Sequence, residues 1–274
     1  MNKFFTIITL IFTLFSSGAN NSDTVAYINE FYAGINNGYS KDIEINNIDK
    51  QIIKLNENDY SNLKITCIGD AITYGTYIED EDIRLSYCDV INNILDCEVL
   101  NLGIGKSTIG QYYNDYSFYN RAQDIPRDSD IVIIFGGIND YMFQGEYGEF
   151  GDFNKSKTYC GDLKGLIEQI NEICNNPKIF FITTYKNINE LCFNNDDTHL
   201  YSFSDYMNAQ IEIANEYDNV NVIDIYNIGF LDGTNTKTKN ELFVDNILLN
   251  KDGMNMLGEH IAAELILHLF ESIK

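Results

Sequence analysis

Apolar and polar positions along this chain fall into blocks of two kinds. Short, nearly unbroken apolar runs occur at "LKITCIG" (63–69), "CEVLNLG" (97–103), "DIVIIFGG" (130–137), "KIFFITT" (178–184) and "VNVIDIY" (220–226). Runs of this length, rich in β-branched and aromatic residues, predict strands buried on both faces. Between them apolar residues recur at helical spacing over 83–95, 159–174, 204–217 and 252–273. Strands alternating with helices predict a parallel five-stranded sheet covered on both sides, a doubly wound three-layer α/β/α sandwich. In such a sheet a ligand sits outside the carboxyl ends of the strands, where the strand order reverses.

The first 60 residues break this pattern. Lys3, the apolar run Phe4 to Phe15 and the small residues Ser16, Ser17, Gly18 and Ala19 have the layout of a secretory leader, so 1–19 is read as a signal peptide. The run is about a dozen residues, short for a bilayer span, and no later segment is long enough either. The expectation is export to the cell surface or medium, with no membrane span after cleavage. Residues 20–61, rich in Asn, Asp and Tyr with only weak periodicity in "VAYINEFYAGI", are read as an N-terminal extension, and 62–274 as the main domain.

Charge and cysteine content narrow the classes of partner. The chain carries a formal charge of −23, and losing Lys3 with the leader makes it one more negative. A surface of that sign repels phosphate backbones and anionic lipids, so nucleic acid is excluded as a partner. Cys67, Cys88, Cys97, Cys160, Cys174 and Cys192 form no CxxC pair. Cys67 lies within an apolar strand and Cys97 just before another, which favours buried free thiols over bridges. Three histidines and scattered thiols give no metal-ligand spacing, and no cofactor is expected.

Four short motifs carry the candidate chemistry. "IGDAITYG" (68–75), "NLGIGKSTI" (101–109), "FGGIND" (135–140) and "DNILLNKDGMNMLGEHIA" (245–262) occur in this order. In order and spacing they resemble the conserved blocks of the SGNH (GDSL-type) hydrolases and esterases, over roughly residues 62–274. The resemblance implies the SGNH-hydrolase fold with its flavodoxin-like sheet. It also implies descent from ester hydrolases, among them enzymes that cleave carbohydrate esters.

Set residue by residue on this chain, the resemblance exposes two losses. The family's nucleophilic serine follows Gly-Asp on the strand-to-helix turn, and here Ala71 follows Gly69 and Asp70. Alanine has no lone pair with which to attack a carbonyl. The family's last block places a base histidine three residues after an orienting aspartate. One register makes Asp245 that aspartate and puts Leu248 at the base; the other, Asp252-Gly253-Met254-Asn255, puts Asn255 there. Neither supplies an imidazole. We take Asp245 and Leu248 as the matching pair, because the following helix then falls into place.

The oxyanion-binding positions are better kept. Asn139 of Gly137-Ile138-Asn139-Asp140 matches the side-chain donor of the third block, or else satisfies loop backbone groups at the strand's end; Lys106, across the pocket mouth or in solvent, falls on the glycine of the second, with Gly105 the alternative one residue earlier. Such donors contribute a few kcal/mol to an active site. Asp70, Gly137, Asp140 and Tyr141 are expected to border the pocket, and His199, in "NNDDTHLYSF", to overhang it or lie in solvent. Thr73 and Ser107 are the nearby hydroxyls, though neither stands at the apex of the turn. His260 and His268 are assigned to packing or surface. Aromatic and acidic residues in "YMFQGEYGEFGDFNKS" (141–156) either bind a sugar face or pin the loop.

The reading that emerges is a catalytically degenerate, pseudoenzyme-like SGNH-type protein holding an acylated glycan or other small ligand, or a protein partner. The alternatives are an esterase or carbohydrate deacetylase with a substitute nucleophile, and a structural interaction protein of the cell surface.

Overall fold

Each of the five apolar runs forms a strand of a single parallel sheet. In a computed structural model of the chain, residues 9, 11, 21–35, 38–148, 157–187 and 200–269 are described. The predicted leader, apart from Thr9 and Ile11, lies outside them, as do His199, Cys192 and most of the acidic-aromatic loop. Two helices come first, α1 (Asn21–Ala33) and α2 (Tyr39–Leu55). There follow β1 (Lys64–Gly69), a hairpin of β2 (Thr76–Ile78) and β3 (Ile83–Leu85), α3 (Tyr87–Leu95) and β4 (Glu98–Gly103). Next are β5 (Ile131–Phe135), α4 (Tyr159–Cys174), β6 (Lys178–Ile182), α5 (Phe203–Ala214) and β7 (Val220–Ile223). The last described elements are α6 (Thr236–Leu242) and α7 (Lys251–Leu269).

The sheet order is β4-β1-β5-β6-β7, parallel throughout, which is the flavodoxin-like order. Strand periodicity sorts the side chains between two cores. Cys67, Ile133, Phe135, Phe180 and Ile182 face α2, α3 and α7, while Ile68, Val132, Ile134, Ile179 and Phe181 face α4 and α5. The three-layer sandwich expected from the sequence is the observed fold. Its order reverses between β1 and β5, so the loops after those two strands flank the crevice where such sheets bind ligands.

One element differs from the sequence reading. The helix predicted from Ile83 begins at Tyr87; Ile83–Leu85 instead pairs antiparallel with Thr76–Ile78. Ser86 sets the boundary by accepting from the helix N-terminus, while Asp89 accepts from the Ser86 amide at 2.7 Å, a reciprocal capping box. The extension is two helices packed against α7, contributing Ile28, Tyr32, Ile45, Ile48 and Ile52 to the first core. Cys67, Cys88, Cys97, Cys160 and Cys174 are buried free thiols. No described helix is long and apolar enough to cross a membrane.

Candidate active site

The site begins where β1 ends. Gly69 has no room for a side chain: a Cβ there would lie 1.9 Å from Thr73 Oγ1 and 2.8 Å from the Phe135 carbonyl. Asp70 then caps the single helical turn Ala71–Tyr74, its Oδ1 accepting from the Ile72 amide at 2.9 Å. Ala71 is the first residue of that turn and is half-buried at the strand-end surface.

The loop after β4 wraps against this turn. The Asn101 side chain donates to the Thr73 carbonyl at 2.7 Å, and the Ile104 amide donates to the Gly69 carbonyl at 3.0 Å. A Cβ at Gly105 would lie 4.0 Å from that of Ala71, so Gly105 faces Ala71. Lys106 is exposed and has φ 63°, a left-handed conformation for which glycine is the unstrained residue. Both second-block positions therefore lie on the lip of the turn.

Asn139 joins the two loops to the end of β5. Its Nδ2 donates to the Ser107 carbonyl at 2.9 Å and to Asp70 Oδ2 at 3.2 Å. Asp140 is fully buried and accepts from the amides of Ile109 and Gly110 at 2.9 and 3.0 Å and from the Tyr112 hydroxyl at 2.6 Å. It braces the loop after β4. Gly137 has φ 111°, and a Cβ on it would strike Gln210 Nε2 at 2.6 Å, so this glycine serves packing against α5. Tyr141 is buried between Phe203 and Tyr206, ring centroids 5.3 and 5.7 Å away, in the second core.

The base-side loop approaches from α6. Asp245 Oδ1 accepts from the amides of Ile247 and Leu248 at 2.7 and 2.6 Å. Leu248 is half-buried and packs on the first core. Asn255, the other base candidate, lies in the first turns of α7. Asp245 and Leu248 thus share one turn, and the aspartate is engaged with backbone.

Sequence reading missed two residues of this region. Tyr185, just past β6, is buried and donates to the Ile247 carbonyl. Burial and the nearby carboxylates of Asp70 and Asp245 hold its hydroxyl well above the ordinary tyrosine range. Arg121 is buried beneath the turn and donates to the carbonyls of Leu102 (2.7 Å), Tyr116 (2.8 Å) and Gly69 (3.3 Å) and to Ser107 Oγ (3.4 Å). Neither stands in a recognisable motif; for Tyr185 the only signal is its place directly after a buried strand.

The centre holds two buried carboxyl groups, Asp70 and Asp140. Burial pushes Asp70 up to about 7, with Asp140 adding to the rise, and pushes Asp140 to about 6 despite its three donors. The nearby hydroxyls are committed elsewhere. Thr73 Oγ1 is hydrogen-bonded to the Tyr87 hydroxyl at 3.0 Å, and Ser107 Oγ donates to the Ile104 carbonyl at 2.7 Å, with the Gly69 carbonyl 3.2 Å away. Among the described residues no group of three or more His, Cys, Asp or Glu side chains could hold a metal ion.

The family model described as GDSL-like lipase/acylhydrolase matches residues 67–256. A protein from Lactobacillus plantarum is 25% identical with a TM-score of 0.64, the match covering 76% of this chain and 98% of that one. The lipase/acylhydrolase from Enterococcus faecalis is 19% identical with a TM-score of 0.52, covering 74% and 95%. The acetyl xylan esterase AlAXEase is 18% identical with a TM-score of 0.53, covering 74% and 100%. No curated protein matches the chain.

Proposed function

The chain belongs to the GDSL-like lipase/acylhydrolase family, and from that premise we propose that it is an exported member that no longer hydrolyses esters and uses its strand-end site to hold an acylated or glycan-like ligand. The observation that carries the reading is the pair Ala71 and Leu248, at the nucleophile and base positions. In a serine hydrolase, losing either group costs about 10⁶ in kcat, and what remains comes from binding and the oxyanion site. Thr73 and Ser107 do not offer a substitute, because both are buried and their hydroxyls are engaged.

A role in binding is supported by what surrounds the two losses. The Gly105–Lys106 lip stays beside the alanine, and Asn139 braces the loop behind it through the Ser107 carbonyl. Exposed aromatic residues stand on neighbouring loops: Tyr74 at the end of the turn, and Tyr113, stacked on Phe143 at a centroid distance of 3.7 Å. Exposed flat aromatic faces suit the apolar faces of a sugar. The xylan-ester chemistry of one structural neighbour agrees with that ligand class.

The test compares hydrolysis of a short-chain aryl acetate and an acetylated xylan oligomer by wild type, Ala71→Ser, and Ala71→Ser with Leu248→His, with circular dichroism to verify folding. The expected result is an inert wild type and turnover in the double variant well above either control. Enzyme-like turnover by wild type would overturn the reading.

A further inference from the structure

The family match begins at residue 67, so it leaves the helix pair α1–α2 without an assigned role. One face of α2 presents Asp42, Asn46 and Asp49, spaced i, i+4 and i+7, toward the body of the protein, with Ile45, Ile48 and Ile52 buried around them. Each polar side chain grips a different point. Asp42 Oδ1 accepts from the Leu231 amide and Oδ2 from the Thr238 hydroxyl, both at 2.7 Å. Asn46 Nδ2 donates to Glu259 at 2.6 Å. Asp49 meets His260 Nδ1 at 3.0 Å, and its other oxygen accepts from the Tyr32 hydroxyl of α1 at 3.0 Å.

Those grips bracket the base-side loop. Thr238 is in α6, directly before it; Glu259 and His260 are in α7, directly after it. The loop is stapled to both helices. The Asn250 amide donates to the Leu242 carbonyl at 2.8 Å, the Val244 amide to the Leu248 carbonyl at 2.9 Å, and the Met254 amide to the Asn250 carbonyl at 2.9 Å. Leu231, held by Asp42, has φ 56° and is fully buried. A branched residue in the left-handed region is costly and persists only where its surroundings over-determine it.

We infer that the N-terminal helix pair is a strut that fixes the position of the base-side loop, residues 243–250, and that Asp42 is the positioning residue through which it acts. The helix pair and the strand-end site are then one mechanical unit. Displacing α2 would move Asp245 and Leu248 without touching either. The consequence holds whichever ligand the site takes.

Hydrogen exchange of the intact chain tests this without any ligand or activity. Asp42→Ala removes both acceptors; Asp42→Asn keeps an acceptor for Leu231 and a polar partner for Thr238. Ile45→Ala weakens the same helix face without breaking a grip. In Asp42→Ala, amides in 243–250 should exchange about tenfold faster or more than in Ile45→Ala, while strand amides 131–135 are unchanged. Asp42→Asn should restore most of the protection. If Asp42→Ala fails to fold, Thr238→Val, which removes one hydroxyl, should give the same local pattern more weakly. Exchange in 243–250 no faster than in Ile45→Ala, or acceleration equal across 131–135, would overturn the inference.

Discussion

The Asn139 side-chain amide donates to the Asp70 carboxylate at 3.2 Å while also donating to the Ser107 carbonyl at 2.9 Å. One residue thereby joins the ends of β1, β4 and β5 and spends both of its amide hydrogens inside the protein. In a working oxyanion site the same amide would face the ligand. Here its first effect is on the fold.

Asn139→Ala should therefore destabilise the protein by about 1–3 kcal/mol, because it leaves a buried carboxylate and a buried carbonyl short of a donor. Asn139→Asp should cost more, since it sets a second carboxylate against Asp70. Urea denaturation midpoints measure both. A midpoint for Asn139→Ala within error of wild type would mean that the amide serves only the pocket.

A second expectation concerns Tyr185, which bridges the end of β6 and the Ile247 carbonyl and packs edge-on against Phe243 at 5.4 Å. Tyr185→Phe keeps the ring and loses one buried hydrogen bond, a change worth about 1 kcal/mol. In the double variant carrying Ala71→Ser and Leu248→His, the same change should raise the mobility of the introduced imidazole and lower kcat with little effect on KM. Equal kcat with and without the hydroxyl would separate Tyr185 from the positioning of that loop.

Much of this architecture is legible in the sequence because the five strands are buried on both faces and so read as continuous apolar runs. The motif residues are legible because a turn at a strand end demands particular residues: Gly69 where Thr73 presses in, Asp70 as a cap. What escapes is set by tertiary contact. Ile83–Leu85 keeps a helical spacing yet pairs with Thr76–Ile78, and only Ser86 with Asp89 three residues later marks the true helix start. The helices of the extension depend on polar grips such as Asp49 with His260, between residues more than two hundred positions apart in sequence. Arg121 likewise gains its meaning only when four oxygens from separate segments converge on it.

The last expectation is an unusual dependence of stability on pH. Burial raises Asp42 and Asp140 to about 6 and Asp70 and Glu264 to about 7. An unfolded carboxyl titrates near 4, so between about 4 and 7 the folded protein binds more protons than the unfolded chain, and stability falls as pH rises through that window. His260 acts in the same direction. Burial lowers its pKa, but Asp49 and Glu264 outweigh burial and hold it above the ordinary value, so the stability it contributes is lost as pH rises through the raised pKa. His268 opposes them: burial and Lys178 lower it to about 4, so it favours folding as pH rises from about 4 to about 6.5. Four carboxyls and one histidine against one histidine place maximum stability in mild acid, and relief of self-repulsion in so acidic a chain adds to it. Urea midpoints should be higher at pH 5 than at pH 8, and Asp70→Asn, which removes one of the titrating groups, should flatten the difference. A midpoint that rises from pH 5 to pH 8 would show that these carboxyls are not buried as a group.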